Sequence, residues 1–345
     1  MKKKNKVTFS SSQAAAVTDV YIPKDEDFVF KENEDINIDR NFAAQGYWKG
    51  VMKRFFRKKR STIGLIIVLL VIVFAIFGPM ISPYKYTQII SAEVDGKTAT
   101  ASSLKPQIAA FTDGTGTFDD YTFLFGTDTV GRDLFTRTCY GARVSLLIAF
   151  VTIIIDMIIG MSYGLISGYF GGAADAIMQR IVEIVYSVPR LVIVSVLALF
   201  MEKGIGLVIV ALLITEWIGM SKIARAEMLK MKDQEFVLAS RTLGAKSGRI
   251  IFSDVLPNTI GPIITQVMFS IPTAIFTEAF LSFVGVGIVL PECSIGSLIE
   301  DGFNNITTLP YQIVAPVIVL ALLMLGFNFI GDGIREALAP TSEDV

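Results

Sequence analysis

Six long apolar stretches constrain this chain more than any other feature. They run roughly Thr62–Met80, Val144–Ser167, Ile184–Met201, Gly204–Ser221, Thr259–Phe283 and Ile313–Ile330. Each is close to the ~20 residues that a helix needs to cross a bilayer. Lipid offers no partner to unpaired backbone groups, so such runs must be helical there. The chain is 52% hydrophobic, against ~45–50% in soluble domains, and the excess lies in these runs. The expected fold is an all-α integral membrane protein with six transmembrane helices.

Lysine and arginine orient the spans, because cytoplasmic segments carry the excess of both. Arg57-Lys58-Lys59-Arg60 precede the first run. The loop 222–258 holds Lys222, Arg225, Lys230, Lys232, Arg241, Lys246 and Arg249, whereas Val284–Gln312 holds no basic residue. Both termini and the 222–258 loop are therefore expected in the cytoplasm of a cell-membrane protein. Residues 1–46 lack the apolar core of a signal peptide, and the acidic stretch Lys24–Asp39 predicts a disordered cytosolic tail. Residues 47–61 alternate Trp48, Met52, Phe55 and Phe56 with Lys49, Lys53 and Arg54, which predicts a basic helix in the lipid interface. There follow a first span over 62–83, an outer loop over 84–143, a five-helix core over 144–334 and a short cytosolic tail over 335–345.

Several chemistries are excluded. The chain has no histidine, which removes imidazole metal ligation and histidine-assisted nucleophiles. Cys139 and Cys293 are too few and too far apart for a zinc site or a disulfide framework. Ser91-Ala-Glu-Val-Asp-Gly-Lys-Thr98 ends like a phosphate-binding loop, but serine stands where the first glycine is required. This chain is expected to bind no cofactor and no nucleic acid. The outer stretch Tyr84–Tyr121 predicts a hairpin turning at Asp95-Gly96.

The stretch from Asp233 to Pro257 lies between two spans without being one. Asp233 is placed to cap a short helix, and Phe236, Ala239, Ser240 and Leu243 give it a narrow apolar face. Gly244 suits the left-handed residue that ends such a helix. Ser247 is placed to cap a second short helix before Pro257, with Arg241, Lys246 and Arg249 toward water or a partner. The expectation is a helix pair across the mouth of the spans.

These residues also resemble a known family. Ala239-Ser240, three residues, Gly244 and then Leu256-Pro257 are similar to the cytoplasmic loop of ABC-importer permeases. The likeness departs at Leu238, Ser240 and Asp254, where that loop has Glu, Ala and Ile. Phe125–Arg137, Gly141–Leu146, Gly168–Gly172, Glu278–Gly287 and Phe327–Pro340 resemble the peptide and nickel branch of that family. The basic segment before the first span, with Pro79 and Ser82-Pro83-Tyr84 after it, is similar to C-type oligopeptide permease subunits.

The resemblance implies the type I ABC importer permease fold with a cytoplasmic coupling helix pair. It implies a non-catalytic subunit that imports oligopeptides by alternating access in a prokaryotic plasma membrane. The implied partners are a homologous second permease subunit, forming a heterodimer, two ATP-binding subunits and an extracytoplasmic peptide-binding protein. ATP and Mg would be used by the partner subunits. Glu235, Ala239, Ser240, Arg241, Leu243, Gly244, Ala245 and Arg249 would dock on an ATPase subunit. Within the family, a dipeptide or nickel-complex permease is the alternative, and outside it an ion-coupled secondary transporter.

Charges inside spans cost at least ~2.5 kcal/mol each, so each needs an explanation. Asp156, Arg190, Glu216 and Glu278 are such residues, as pathway contacts or as buried ion pairs. Counting residues from the membrane face puts Asp156 and Arg190 within reach, and the expectation is that these two pair. Gly160, Gly164 and Gly168 recur every four residues, a strip of bare backbone suited to helix packing or to a contact between subunits.

Overall fold

The computed structural model describes residues 47–94, 97–109 and 117–338. The 1–46 tail, the Asp95-Gly96 turn and residues 339–345 lie outside the described residues. Helix α1 (Tyr47–Arg57) and α2 (Lys59–Ile81) open the chain. An outer layer follows, in which β1 (Ser91–Val94) pairs antiparallel with β2 (Lys97–Thr100). Of the residues that mimic a phosphate-binding loop, Ser91–Val94 and Lys97-Thr98 are thus paired strand residues. Helix α3 (Leu134–Ile155) continues through a π-helical turn at Asp156–Gly160 into α4 (Met161–Phe170). Then come α5 (Gly172–Ser187), α6 (Arg190–Leu197), α7 (Ile205–Thr215) and α8 (Trp217–Met231). The chain closes with α9 (Glu235–Thr242), α10 (Ser247–Arg249), α11 (Ile260–Phe283), α12 (Ile295–Asn304) and α13 (Tyr311–Leu338).

Among the described residues, five helical runs are long and apolar enough to cross a membrane: Lys59–Ile81, Leu134–Phe170, Ile205–Met231, Ser247–Phe283 and Tyr311–Leu338. The third apolar stretch of the sequence is not among them. Pro189 lacks a backbone donor and Val188 before it is extended (φ −84°, ψ 122°), so one helix stops at Ser187 and another starts at Arg190. Packing directions nevertheless require a return through this segment. A Cβ on Gly160 would meet the Trp217 carbonyl at 2.5 Å, one on Gly164 would meet Ala224, and one on Gly168 would meet Met228. Residue numbers rise together along both helices, so α4 and α8 run parallel. The chain must come back between them, and α5 with α6 is the only segment available. The remaining neighbours alternate: Gly78 meets Cys139 and Arg143 donates to the Ala75 carbonyl, while Gly64 meets Gly326 and Ile330. The start of α2 therefore lies beside the end of α13, where Ser61 touches Gly333.

Three boundaries differ from the sequence reading, each for a local reason. The helix expected over 47–61 ends at Arg57. Its Val51 and Phe55 are buried against Ile330 and Ala337, while Trp48, Met52 and Phe56 stay exposed one turn apart. The second span begins at Leu134, not Val144, because Asp133 caps it by accepting from the Thr136 amide. Hydropathy misses that first turn since Thr136, Arg137 and Thr138 are polar, yet all are buried under the outer layer. The last helix runs to Leu338, so part of the expected 335–345 tail is helical.

Arg137 joins the outer layer to the spans. It is fully buried, 3.7 Å from Asp128, and donates to the Tyr86 carbonyl. Asp128 is also held by Arg132 at 2.6 Å, and Tyr311 and Gln312 of α13 donate to the Thr127 carbonyl. Burial pushes the carboxyl of the capping Asp133 above the usual carboxylate range, against the hydrogen bonds from Thr136 and Ser82. Arg137→Gln should lower stability by about 1–2 kcal/mol, since it removes the bond to the Tyr86 carbonyl and a buried side chain's packing while Asp128 keeps Arg132. A drop in melting temperature together with faster proteolysis within 82–133 is the expected result. Cys139 and Cys293 are both free and buried.

Candidate functional site: an exposed helix and a charged cavity

Helix α9 stands at the face where α4 and α8 end. Gln234, not Asp233, occupies the capping position, and its side chain makes no cap bond. Asp233 lies one residue too early because the extended backbone that ends the turn falls at Gln234. Gly244 ends the helix in the left-handed conformation (φ 81°), with its amide on the Arg241 carbonyl and the Ala245 amide on that of Ser240. Alanine or a larger residue at that φ would be strained.

One residue seats α9 on the bundle. Val237 is fully buried among Leu165 of α4, Ala224 and Met228 of α8, and Ile250, Ile251 and Val255. Arg241 adds a contact over the Tyr169 ring at 5.6 Å. The apolar side chains predicted to share a face point away from the bundle: Phe236 is 40% exposed and Leu243 is 88% exposed. Glu235, Ala239 and Arg249 are exposed as well, while Ser240 and Ala245 are half-buried. Apolar side chains projecting from the end of a helical bundle mark a contact surface.

The second helix of the expected pair is not a separate element. Lys246, not Ser247, takes its capping position, and α10 is only three residues long. It runs through a π-helical turn (Ile250–Val255) and a 3-10 turn (Leu256–Thr259) into α11. Pro257 does not break this run because regular α-helical bonding has already given way there to wider and tighter turns.

The expected pairing of Asp156 with Arg190 does not occur. Arg190 lies 2.5 Å from Glu216 and donates to Thr277 Oγ1 at 2.9 Å. Arg190 opens α6 beyond the Pro189 break, which turns it toward α8 and α11 rather than α3. Asp156 is fully buried on the π-helical turn; among the described residues it has no ion pair, and although Ser270 is near it, neither carboxylate oxygen has a hydrogen bond of normal geometry. Asp156→Asn keeps the shape and removes a charge without a counter-ion, so it should not lower stability. Glu216→Ala should lower it, by stranding Arg190. Thermal melting of the two variants checks the order. Glu278 is fully buried and accepts from Ser145 at 2.6 Å and Ser282 at 2.9 Å, a structural bond between α3 and α11.

Arg190 and Glu216 line a cavity of about 490 Å³ walled by α5, the start of α6, α8 and α11. Lys222, Gln266, Ser270 and Thr273 also face it. Lys222 lies 4.2 Å over the Tyr186 ring. Sequence reasoning counted Lys222 only as a marker of orientation. It also missed Asp175, which accepts two bonds of 2.6 Å from Arg225 and ties α5 to α8. Its place in the first turn of α5 was legible, but not its partner fifty residues on. The three glycines, by contrast, form the seam between α4 and α8.

The comparisons with known proteins agree with this geometry. A family model described as binding-protein-dependent transport system inner membrane component matches residues 160–343. A second, the N-terminal TM domain of oligopeptide transport permease C, matches residues 46–106. The chain belongs to the binding-protein-dependent transport permeases. An oligopeptide transport system permease protein of Bacillus subtilis is 41% identical to this permease over 85% of the chain and 89% of the relative. A dipeptide transport system permease protein of the same organism is 39% identical over 92% and 93%. The oligopeptide permease protein of Escherichia coli K12 is 32% identical over 88% and 95%. Among solved structures, a chain of the MetNI methionine ABC transporter in an inward-facing conformation matches with a TM-score of 0.50 at 20% identity. That match covers 59% of this permease and 97% of that chain, a likeness of fold alone.

Proposed function

We propose that this permease is one membrane-spanning half of an ATP-driven importer of oligopeptides. Its partners are a homologous second permease subunit, two ATP-binding subunits and an extracytoplasmic peptide-binding protein. ATP and Mg are handled by the ATP-binding subunits, and this chain performs no catalysis. The observation that carries the reading is α9: Phe236 and Leu243 project outward from a helix seated on the bundle by Val237. That surface has no use in a carrier that works alone. Of the four charged residues expected inside the spans, Arg190 and Glu216 are paired and Glu278 is held by serines, which leaves Asp156 alone to carry a coupling ion. The cavity beside Arg190 is this subunit's share of the path, closed on its open side by the second permease subunit.

Both termini and α9 face the cytoplasm of a prokaryotic plasma membrane in this reading. Cysteines introduced at the exposed Lys246 and Thr307 should react with impermeant reagents from opposite sides; labelling from one side would reject the topology. For function, the purified permease pair should transport no peptide, and adding the ATP-binding subunits, ATP and the receptor should start uptake. Uptake that needs an ion gradient but no ATP would overturn the proposal.

A further inference from the structure

The cavity's charges do not balance. Its walls carry two cations, Arg190 and Lys222, and one anion, Glu216. Glu216 is 5% exposed and already committed to Arg190, whose side chain is 41% exposed. Among the described residues Lys222 has no carboxylate partner; its ammonium rests on the Tyr186 ring. The remaining polar walls, Gln266, Ser270 and Thr273, add an amide donor and two hydroxyls. Lys222 is exposed, on the charged end of α8 where Arg225 and Lys230 follow, so its ammonium is free to meet an incoming group. The cavity therefore offers an entering anion one cation more than its own carboxylate neutralises.

We infer that this cavity is a station for the carboxylate of a passing peptide, with Lys222 as its anchor and the exposed edge of the Arg190 guanidinium as a second donor. The inference rests on the import reading above and adds which end of the substrate this subunit holds. A peptide carries one carboxylate at its C-terminus whatever its side chains, so a station for that group serves many sequences. The Tyr186 ring holds the Lys222 ammonium in place when no substrate is there, and a carboxylate replaces a weak cation–π contact with a charge-assisted bond.

The test uses the assembled importer in proteoliposomes, with receptor and peptide saturating and uptake normalised to the amount of intact complex. Tetra-alanine, whose sole carboxylate is terminal, is the probe. Lys222→Glu should slow its maximal uptake about ten-fold, the effect of placing like charges in contact; Lys222→Gln should give a smaller loss and Lys222→Arg near-normal uptake. Equal rates across the four proteins would overturn the inference while leaving peptide import intact. Slowing confined to Ala-Glu-Ala-Ala would overturn the terminal assignment and make an acidic side chain the ligand. No ATP-driven uptake by the unsubstituted complex would reject the import reading itself.

Discussion

Leu243→Asp should reduce ATP-driven uptake at least about 100-fold while leaving the permease folded and inserted, as expected when an interface anchor worth more than ~2.7 kcal/mol is lost. Leu243 is 88% exposed, so its replacement removes no contact within the chain. Substitutions at such positions change stability by less than ~0.5 kcal/mol. A docked α9 would instead bury the leucine in an apolar pocket of an ATP-binding subunit, and the aspartate would have to be desolvated there without a partner. Pull-down of the ATP-binding subunits should fail in parallel with uptake. Val237→Ala is the informative contrast: it empties the seat beneath α9 and should lower thermal stability. Normal uptake by the Leu243→Asp complex would remove α9 from the docking role.

Gly164→Val should abolish accumulation of assembled protein. The added Cβ would overlap the Ser221 carbonyl oxygen and lie 2.8 Å from both the Ala224 Cβ and the Arg225 amide nitrogen. Two of these three neighbours are backbone atoms, which cannot rotate aside. The helices would have to part at the middle of their seam, with Gly160 and Gly168 losing contact above and below. The expected cost exceeds ~4 kcal/mol, at the far end of what single substitutions do. Gly206→Ala is the control, since a Cβ there meets nothing within 4 Å. Size-exclusion profiles of the two variants should differ completely, and a monodisperse Gly164→Val protein would show that α4 and α8 do not pack as described.

What the sequence disclosed and what it hid divide along one physical line. Depth in the membrane can be read from residue counts, because a helix rises by a fixed ~1.5 Å per residue. The apolar runs, the small-residue seam and the left-handed Gly244 follow from such local information. Direction around a helix axis is not local. Asp156 and Arg190 have compatible depths, but the π-helical turn at 156–160 and the break at Pro189 send them to different neighbours. The partner of Arg190 lies at the junction of α7 and α8 and that of Asp175 on α8, positions which only the folded packing brings near. Hydropathy likewise reported the Ile184–Met201 stretch as one span, since averaging over a window cannot see a missing amide hydrogen. The second short helix was lost differently: its residues do form a helix, but nothing ends it before α11 begins.

The seat of Val237 reaches further than the stability of α9. Leu165 lies beneath it on one side, Ala224 and Met228 on the other, and those two helices meet backbone to backbone at three successive levels. The same α8, with Glu216 just before it, brings Lys222 into the cavity. Val237 and that seam give the outward-facing helix a packed route to the wall that holds Lys222. If a docking partner pushes on α9, the displacement would pass to the substrate's surroundings through packed side chains and backbone, while the break at Pro189 interrupts the helix on the cavity's opposite wall.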